Sequence, residues 1–261
     1  MSAPELHKHE QFHSRFLRNQ RDFIVYLPPG YHDQPHRRFP VLYMHDGQNL
    51  FDGATSFVPG MDWHVGHTAD DFILTGAVQP IIIVGIYNVG KVRILEYTPT
   101  KAPRLGGGRA DRYAKFLMQE VMPFVEREYR ALSDPRVTGM GGSSLGGLLS
   151  LYLGLKHPQA FGRLAALSPS LWWNQRVIHR FTAAAPVEPR PRIWLDIGTN
   201  EGPRIVQEVE QFRDILLQKG WQLGKDLYYQ RVEGAEHNEA AWAQRVGPFL
   251  QFLYPAAEST V

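Results

Sequence analysis

The pentapeptide Gly142, Ser143, Ser144, Leu145, Gly146 has the spacing G-x-S-x-G, a pattern that displays a nucleophilic serine on a sharp bend between a strand and a helix. Only Ser144 fits the central position, because a frame on Ser143 would need glycine where Leu145 stands. Ten serines and 24 glycines in 261 residues yield about 0.08 such matches by chance, so the flanks must carry the assignment. A strand-type run, Arg136 to Met140, enters the motif, and a helix-type run, Leu145 to Lys156, leaves it. At such a bend the backbone is strained, and glycines without Cβ let strand and helix approach. The helix N-terminus then aims the Leu145 N–H at the oxyanion that forms when Ser144 attacks a carbonyl.

A serine nucleophile needs a base, and chains with this bend carry their partners in the order Ser, acid, His. Of eleven histidines, His7, His9, His13, His32, His36, His45, His64 and His67 precede Ser144, and His157 and His179 precede the strand expected to supply the acid. That leaves His237, in the loop Val232 to Asn238. The acid has two candidates at the run Ile193 to Ile197. Glu201 lies just beyond it, where parallel sheets place their ligand sites; Asp196 lies inside it, a half-buried carboxylate in need of a partner. A second oxyanion donor is expected after the run Val41 to Met44, at the Gln48 N–H, although Asp46-Gly47 also reads as an ordinary turn.

His9, Glu10, Gln11, Phe12, His13 spells H-E-x-x-H, which on a helix would present two imidazoles to zinc with a glutamate as base. It runs straight into a strand-like segment, and nothing nearby supplies a third ligand, so a zinc metalloprotease is the lesser reading. His64 and His67 form a weaker pair, expected at the surface. No metal or cofactor is called for.

These residues need a scaffold, and from Pro40 onward short apolar runs alternate with amphipathic stretches, the pattern of a mostly parallel α/β sheet covered by helices on both faces. Expected strands are Val41 to Met44, Ile81 to Tyr87, Arg136 to Met140, Leu164 to Ser168, Ile193 to Ile197 and Leu227 to Val232, several buried on both sides. Arg15 to Leu17 and Phe23 to Leu27 flank a polar tetrapeptide and read as an antiparallel hairpin. Asp111 is expected to cap a helix that Pro123 kinks. A second helix opens at Pro203 and ends at Lys219 and Gly220; the last carries Trp242, Val246, Phe249, Leu250 and Leu253 on one face. The Pro-rich stretch Ala183 to Pro191 reads as a loop, so residues 1–261 are expected to form a single domain.

Composition agrees with an ordinary globular protein: 43% hydrophobic, 21% charged, net charge +2. The basic residues form no stripe, which argues against nucleic acid as a partner. The absence of cysteine removes disulfides, thiolate nucleophiles and iron–sulfur clusters. The longest apolar run, Ile81 to Ile86, is far below the ~20 residues that span a bilayer, and the opening residues carry no apolar stretch of the secretory kind. The expectation is a cytoplasmic protein with no membrane partner.

The chain resembles the esterase family of α/β-hydrolases that includes enterochelin and other siderophore esterases, S-formylglutathione hydrolases, feruloyl and acetyl xylan esterases, and mycolyltransferases. The resemblance is carried by Arg21 to Tyr31 (RDFIVYLPPGY), His45 to Phe51 (HDGQNLF), Glu96 to Thr100 (EYTPT), Gly141 to Gly147 (GGSSLGG), Ser168 to Trp173 (SPSLWW), Asp196 to Glu201 (DIGTNE) and Gly234 to Trp242 (GAEHNEAAW). It is most similar to the enterochelin-esterase branch. The resemblance implies an α/β-hydrolase fold and a serine carboxylic ester hydrolase that uses a Ser, acid, His relay on small, aromatic or siderophore-type esters. An acyltransferase and a hydrolase-like binding protein without turnover are the alternatives. The interval from Ser168 to Ile193 is too short for a lid domain, so an open pocket is expected. Trp63, Trp172, Trp173 and Tyr97 are candidate aromatic walls, each of which singly reads as well as core packing. The loop with Arg104, Arg109 and Arg112 lacks the ending of a phosphate loop and reads as solvated.

Overall fold

Short strands buried on both sides, with helices returning the chain over both faces, build the molecule around one sheet. The computed structural model describes residues 1–184 and 188–256, so part of the loop Ala183 to Pro191 lies outside the described residues. In chain order the strands are β1 (Glu5–Ser14), β2 (Asn19–Leu27), β3 (Val41–His45), β4 (Ile82–Ile86), a small ribbon of β5 (Lys101–Ala102) and β6 (Gly106–Gly107), then β7 (Thr138–Ser143), β8 (Arg163–Leu167), β9 (Arg192–Gly198) and β10 (Leu227–Val232). All but the ribbon pair in the order β1-β2-β4-β3-β7-β8-β9-β10. β1 and β2 run antiparallel to their neighbours, and the pairs from β4 to β10 are parallel.

Residues of a parallel strand alternate between the faces, and both faces here are covered. Val41 and Tyr43 of β3, with Ile193 and Leu195 of β9, enter one core beneath α3 (Ala110–Phe116), α4 (Met122–Glu128), α5 (Leu145–Lys156), α6 (Trp173–Ala184) and α7 (Pro203–Gln218). Leu42, Met44 and Trp194 enter the other, beneath α1 (Val65–Leu74), α8 (Glu239–Ala243) and α9 (Val246–Leu253), while a single turn, α2 (Arg93–Glu96), follows β4. α5 is buried from Gly146 to Leu155, as befits a helix apolar on every side. No helix of the described residues is long and apolar enough to cross a membrane.

Several expectations move. The hairpin forms, but Arg15–Leu17 belong to its turn, and the partner of β2 is β1, which starts ten residues earlier than the expected strand. H-E-x-x-H therefore lies on a strand. A bulge at Gln11 interrupts it, His9 stacks on Phe23 at 4.7 Å and bonds Tyr129 Oη at 2.6 Å, and His13 is exposed. The helical spacing that would present His9 and His13 to one zinc ion is absent, and no cluster of metal-binding residues occurs among the described residues. Asp111 does not cap α3; it sits in the first turn and binds Lys156 Nζ (2.7 Å) and Tyr152 Oη (3.0 Å). A π-helical stretch, Leu117–Val121, separates α3 from α4, and Pro123 falls in the first turn of α4 rather than inside one continuous helix. The C-terminal apolar stretch divides into α8 and α9 at Gln244 and Arg245.

Candidate active site

β7 ends at Ser143, α5 begins at Leu145, and Ser144 makes the bend alone, with φ 57° and ψ −122°. This is a costly conformation for a residue with a Cβ. Its N–H donates to the Leu167 carbonyl (3.0 Å), and its own carbonyl accepts from Ser170 N–H (2.9 Å) and Leu148 N–H (3.1 Å). The turn is cramped: a Cβ on Gly142 would lie 3.2 Å from Gly146 and from His45 Cβ. The Leu145 N–H is one of the helix-start donors with no partner inside the helix. The Ser144 hydroxyl is bonded to Ser170 Oγ at 3.3 Å and not to His237.

Glu201 ends the 3₁₀ turn Thr199–Glu201 that follows β9, and His237 lies in the loop after β10. His237 Nδ1 is 2.6 Å from Glu201 Oε2. Burial alone would raise the Glu201 carboxyl, but hydrogen bonds from His237, Ser168 and the Gly198 N–H outweigh it and hold the group below the usual carboxylate range. An ionised carboxylate only accepts, so the proton of this bond belongs to His237 Nδ1. Ser144, Glu201 and His237 line one cleft of about 250 Å³, with Trp172 and Ile205 as apolar walls.

Asp196 is placed otherwise. It points to the Trp194 side of the sheet, fully buried, where it accepts from Arg245 Nη1 (2.6 Å), Trp194 Nε1 (2.6 Å) and Ser168 N–H (3.1 Å). It has no contact with His237, so the geometry pairs the histidine with Glu201.

On the other side of the serine, β3 delivers His45 and Asp46 to the 3₁₀ turn Gly47–Asn49. Asp46 adopts a left-handed backbone, φ 58°, held by both arms of Arg93 (2.7 and 2.8 Å), by Asn88 Nδ2 (2.7 Å) and, at its N–H, by Tyr97 Oη (3.3 Å). Gln48 is half-buried on that turn, its side-chain oxygen accepting the Asn88 N–H at 3.2 Å. Burial pushes His45 down to about 3, so it stands beneath the bend as a neutral imidazole.

Of the four expected aromatic walls, only Trp172 faces the cleft. Tyr97 is fully buried against His45 and Tyr113, Trp173 is buried with Nε1 on the Thr100 carbonyl (2.9 Å), and Trp63 packs behind Trp242. Each ring is consumed by packing. Arg104, Arg109 and Arg112 are exposed and outside the cleft. The sequence reading missed Ser168, Ser170, Trp242 and Arg245. The two serines flank Pro169 in the quoted SPSLWW motif; Trp242, read only as a helix-face residue, sets its ring edge-on to His237 at 4.9 Å.

Residues 14–252 match the family model described as Putative esterase. The chain belongs to this esterase family. It is a carboxylic ester hydrolase, which removes the non-catalytic binding protein from the alternatives. This esterase is 26% identical to the uncharacterized protein YbbA of Bacillus subtilis, over 92% of its own length and 95% of that protein. It is 30% identical to the ferri-bacillibactin esterase BesA of Bacillus subtilis over 62% of this chain and 58% of that one. With the iron(III) enterobactin esterase of Dickeya dadantii it shares 29% identity over 88% and 50%. The chain thus spans about half the length of these two siderophore esterases. Among solved structures, an IroE-like serine hydrolase from Shewanella oneidensis superposes with TM-score 0.77 at 21% identity, covering 96% of this chain and 80% of that one. The BES protein from Bacillus cereus gives TM-score 0.75 at 22%, covering 97% and 95%. The shared architecture is the α/β-hydrolase fold.

Proposed function

We propose that this esterase is a serine hydrolase that works through an acyl-enzyme. His237 Nε2 takes the proton of Ser144 Oγ as that oxygen attacks the ester carbonyl, and Glu201 holds the imidazole in the tautomer with hydrogen on Nδ1. The Leu145 and Gln48 amides stabilise the tetrahedral oxyanion. The imidazolium returns its proton to the leaving alcohol, and water, deprotonated by the same base, releases the acid and regenerates Ser144. In the resting arrangement the hydroxyl is bonded to Ser170, and a bound ester carbonyl draws it toward the base.

The observation that carries this reading is the left-handed backbone of Ser144 at the β7 to α5 bend, in one cleft with a Glu201–His237 pair at 2.6 Å. Small, aromatic or siderophore-type esters are the substrate class, supported by the relatives named as siderophore esterases and by the apolar walls Trp172 and Ile205. We take residues 1–261 to be one catalytic domain. A fluorophosphonate probe is expected to label Ser144, and Ser144→Ala to reduce p-nitrophenyl acetate turnover to background. Wild-type turnover by that variant overturns the assignment.

A further inference from the structure

Ser168 directly follows β8 and holds a left-handed backbone, φ 44°, which a serine adopts only at a cost. Its hydroxyl oxygen accepts from Trp242 Nε1 (3.1 Å) and from Arg245 Nη1 (3.0 Å), and lies 2.5 Å from Glu201 Oε1. A hydroxyl has two lone pairs and one proton. With both lone pairs taken by groups that can only donate, the proton is left to Glu201. Oε1 also receives the Gly198 N–H (2.9 Å), so one carboxylate oxygen is anchored twice and the other is left to His237. Arg245 is 2% exposed and brings its charge to this point through Nη1, which Ser168 and Asp196 share, while its buried Nε and Nη2 find no acceptor among the described residues.

We infer that Ser168, polarised by Arg245 and Trp242, is a positioning residue for the reaction: it fixes the rotamer of Glu201 and sets how much of that carboxylate's charge reaches His237. Asp196 serves as the counter-ion that lets Arg245 stay buried, and the charged or titratable groups meeting at this hydroxyl are Glu201, Arg245 and, one bond further, Asp196 and His237. The inference rests on the Ser144–His237 reading above. Chains of hydrogen bonds strengthen one another in a dry interior, so a donor withdrawn from Ser168 weakens the bond that Ser168 gives to Glu201.

Ser168→Gly removes the hydroxyl and suits the left-handed backbone. It is expected to lower kcat about tenfold, the loss of one hydrogen bond to a charged group, with KM changed less than about twofold. The carboxylate, freed of one donor, holds the imidazolium more tightly, so the acid limb of the kcat/KM profile moves up by about one pH unit. The low-field proton resonance of His237 Nδ1–H shifts with it. Trp242→Phe keeps the ring edge against His237 and removes one donor to Ser168; it is expected to move the same limb in the same direction by less, and it decides the matter if the glycine variant does not fold. An unmoved limb and resonance in a folded variant overturn the inference. Wild-type activity in Ser144→Ala or His237→Ala would instead overturn the esterase mechanism on which it rests.

Discussion

Asp196 and Glu201 are both nearly inaccessible carboxylates at the end of β9, and their neighbours give them opposite tasks. Glu201 turns one oxygen to His237; Asp196 spends both of its oxygens on Arg245, Trp194 and the Ser168 amide. Glu201→Gln keeps the shape but reverses the polarity of the bond to Nδ1, and kcat is expected to fall about 10³-fold or more with the thermal midpoint little changed. Asp196→Asn leaves Arg245 charged and unpaired in the interior, so its main effect is expected in urea denaturation, as a loss of about 3–5 kcal/mol. Equal kinetic losses from the two substitutions would contradict this division. Glu201 could be favoured from sequence because ligand sites gather beyond strand ends. The partner that occupies Asp196 stands 49 residues away, and no local pattern announces it.

At the scale of elements, the site is a meeting of loops at the C-terminal ends of β3, β7, β8, β9 and β10. Gly198 shows how closely they are fitted: a Cβ there would lie 2.3 Å from the Ala235 carbonyl oxygen and 2.9 Å from Glu201 Oε1. Gly198→Ala must therefore push apart the loops that carry Glu201 and His237. Displacements of about 1 Å cost about a hundredfold in rate, and that loss in kcat is the expected outcome, read by steady-state kinetics beside a folded circular-dichroism spectrum. Strands made of β-branched residues were legible, as Ile82–Ile86 shows inside the expected run Ile81 to Tyr87. β7 was displaced by two residues at its start and ran on to Ser143, because Gly139, Gly141 and Gly142 carry no hydrophobic signal. β1 was hidden because its inner face is built from His7 and His9, resting on Tyr129 and Phe23, rather than from the aliphatic residues a strand search looks for.

Across the whole molecule, polar groups inside the two cores tie remote segments to the site. Arg21 of β2 makes a fully buried ion pair with Glu96 (2.8 Å), beneath the rings of Tyr113 and Phe116, and Glu96 neighbours Tyr97, which holds the Asp46 amide. Glu96→Gln strands a buried guanidinium and is expected to cost about 3–5 kcal/mol, a fall in melting temperature of about 10 °C for a chain of this size. An unchanged melting temperature would show that Arg21 finds another partner. Acid has a related effect. Burial works against the charge of Asp46, but Arg93 and Asn88 outweigh it and hold that carboxyl low, as His237, Ser168 and Gly198 do for Glu201. Groups lowered on folding stabilise the fold above their unfolded values, and that contribution is lost as pH falls through the lowered ones. Urea midpoints are therefore expected to hold near pH 6 and to decline below about pH 4.

Taken alone, the amino-acid order determined the alternation of sheet and helix, the bend at Ser144 and the one histidine that follows β9, because periodicity, glycine spacing and chain order are local or one-dimensional properties. Which carboxylate met that histidine, which aromatic rings faced solvent and which hydroxyl bonded Glu201 were decided by the tertiary structure. Those outcomes depend on what lies across the sheet from a side chain, and Ser168 meets Trp242 and Arg245 only when the strands are laid in their final order.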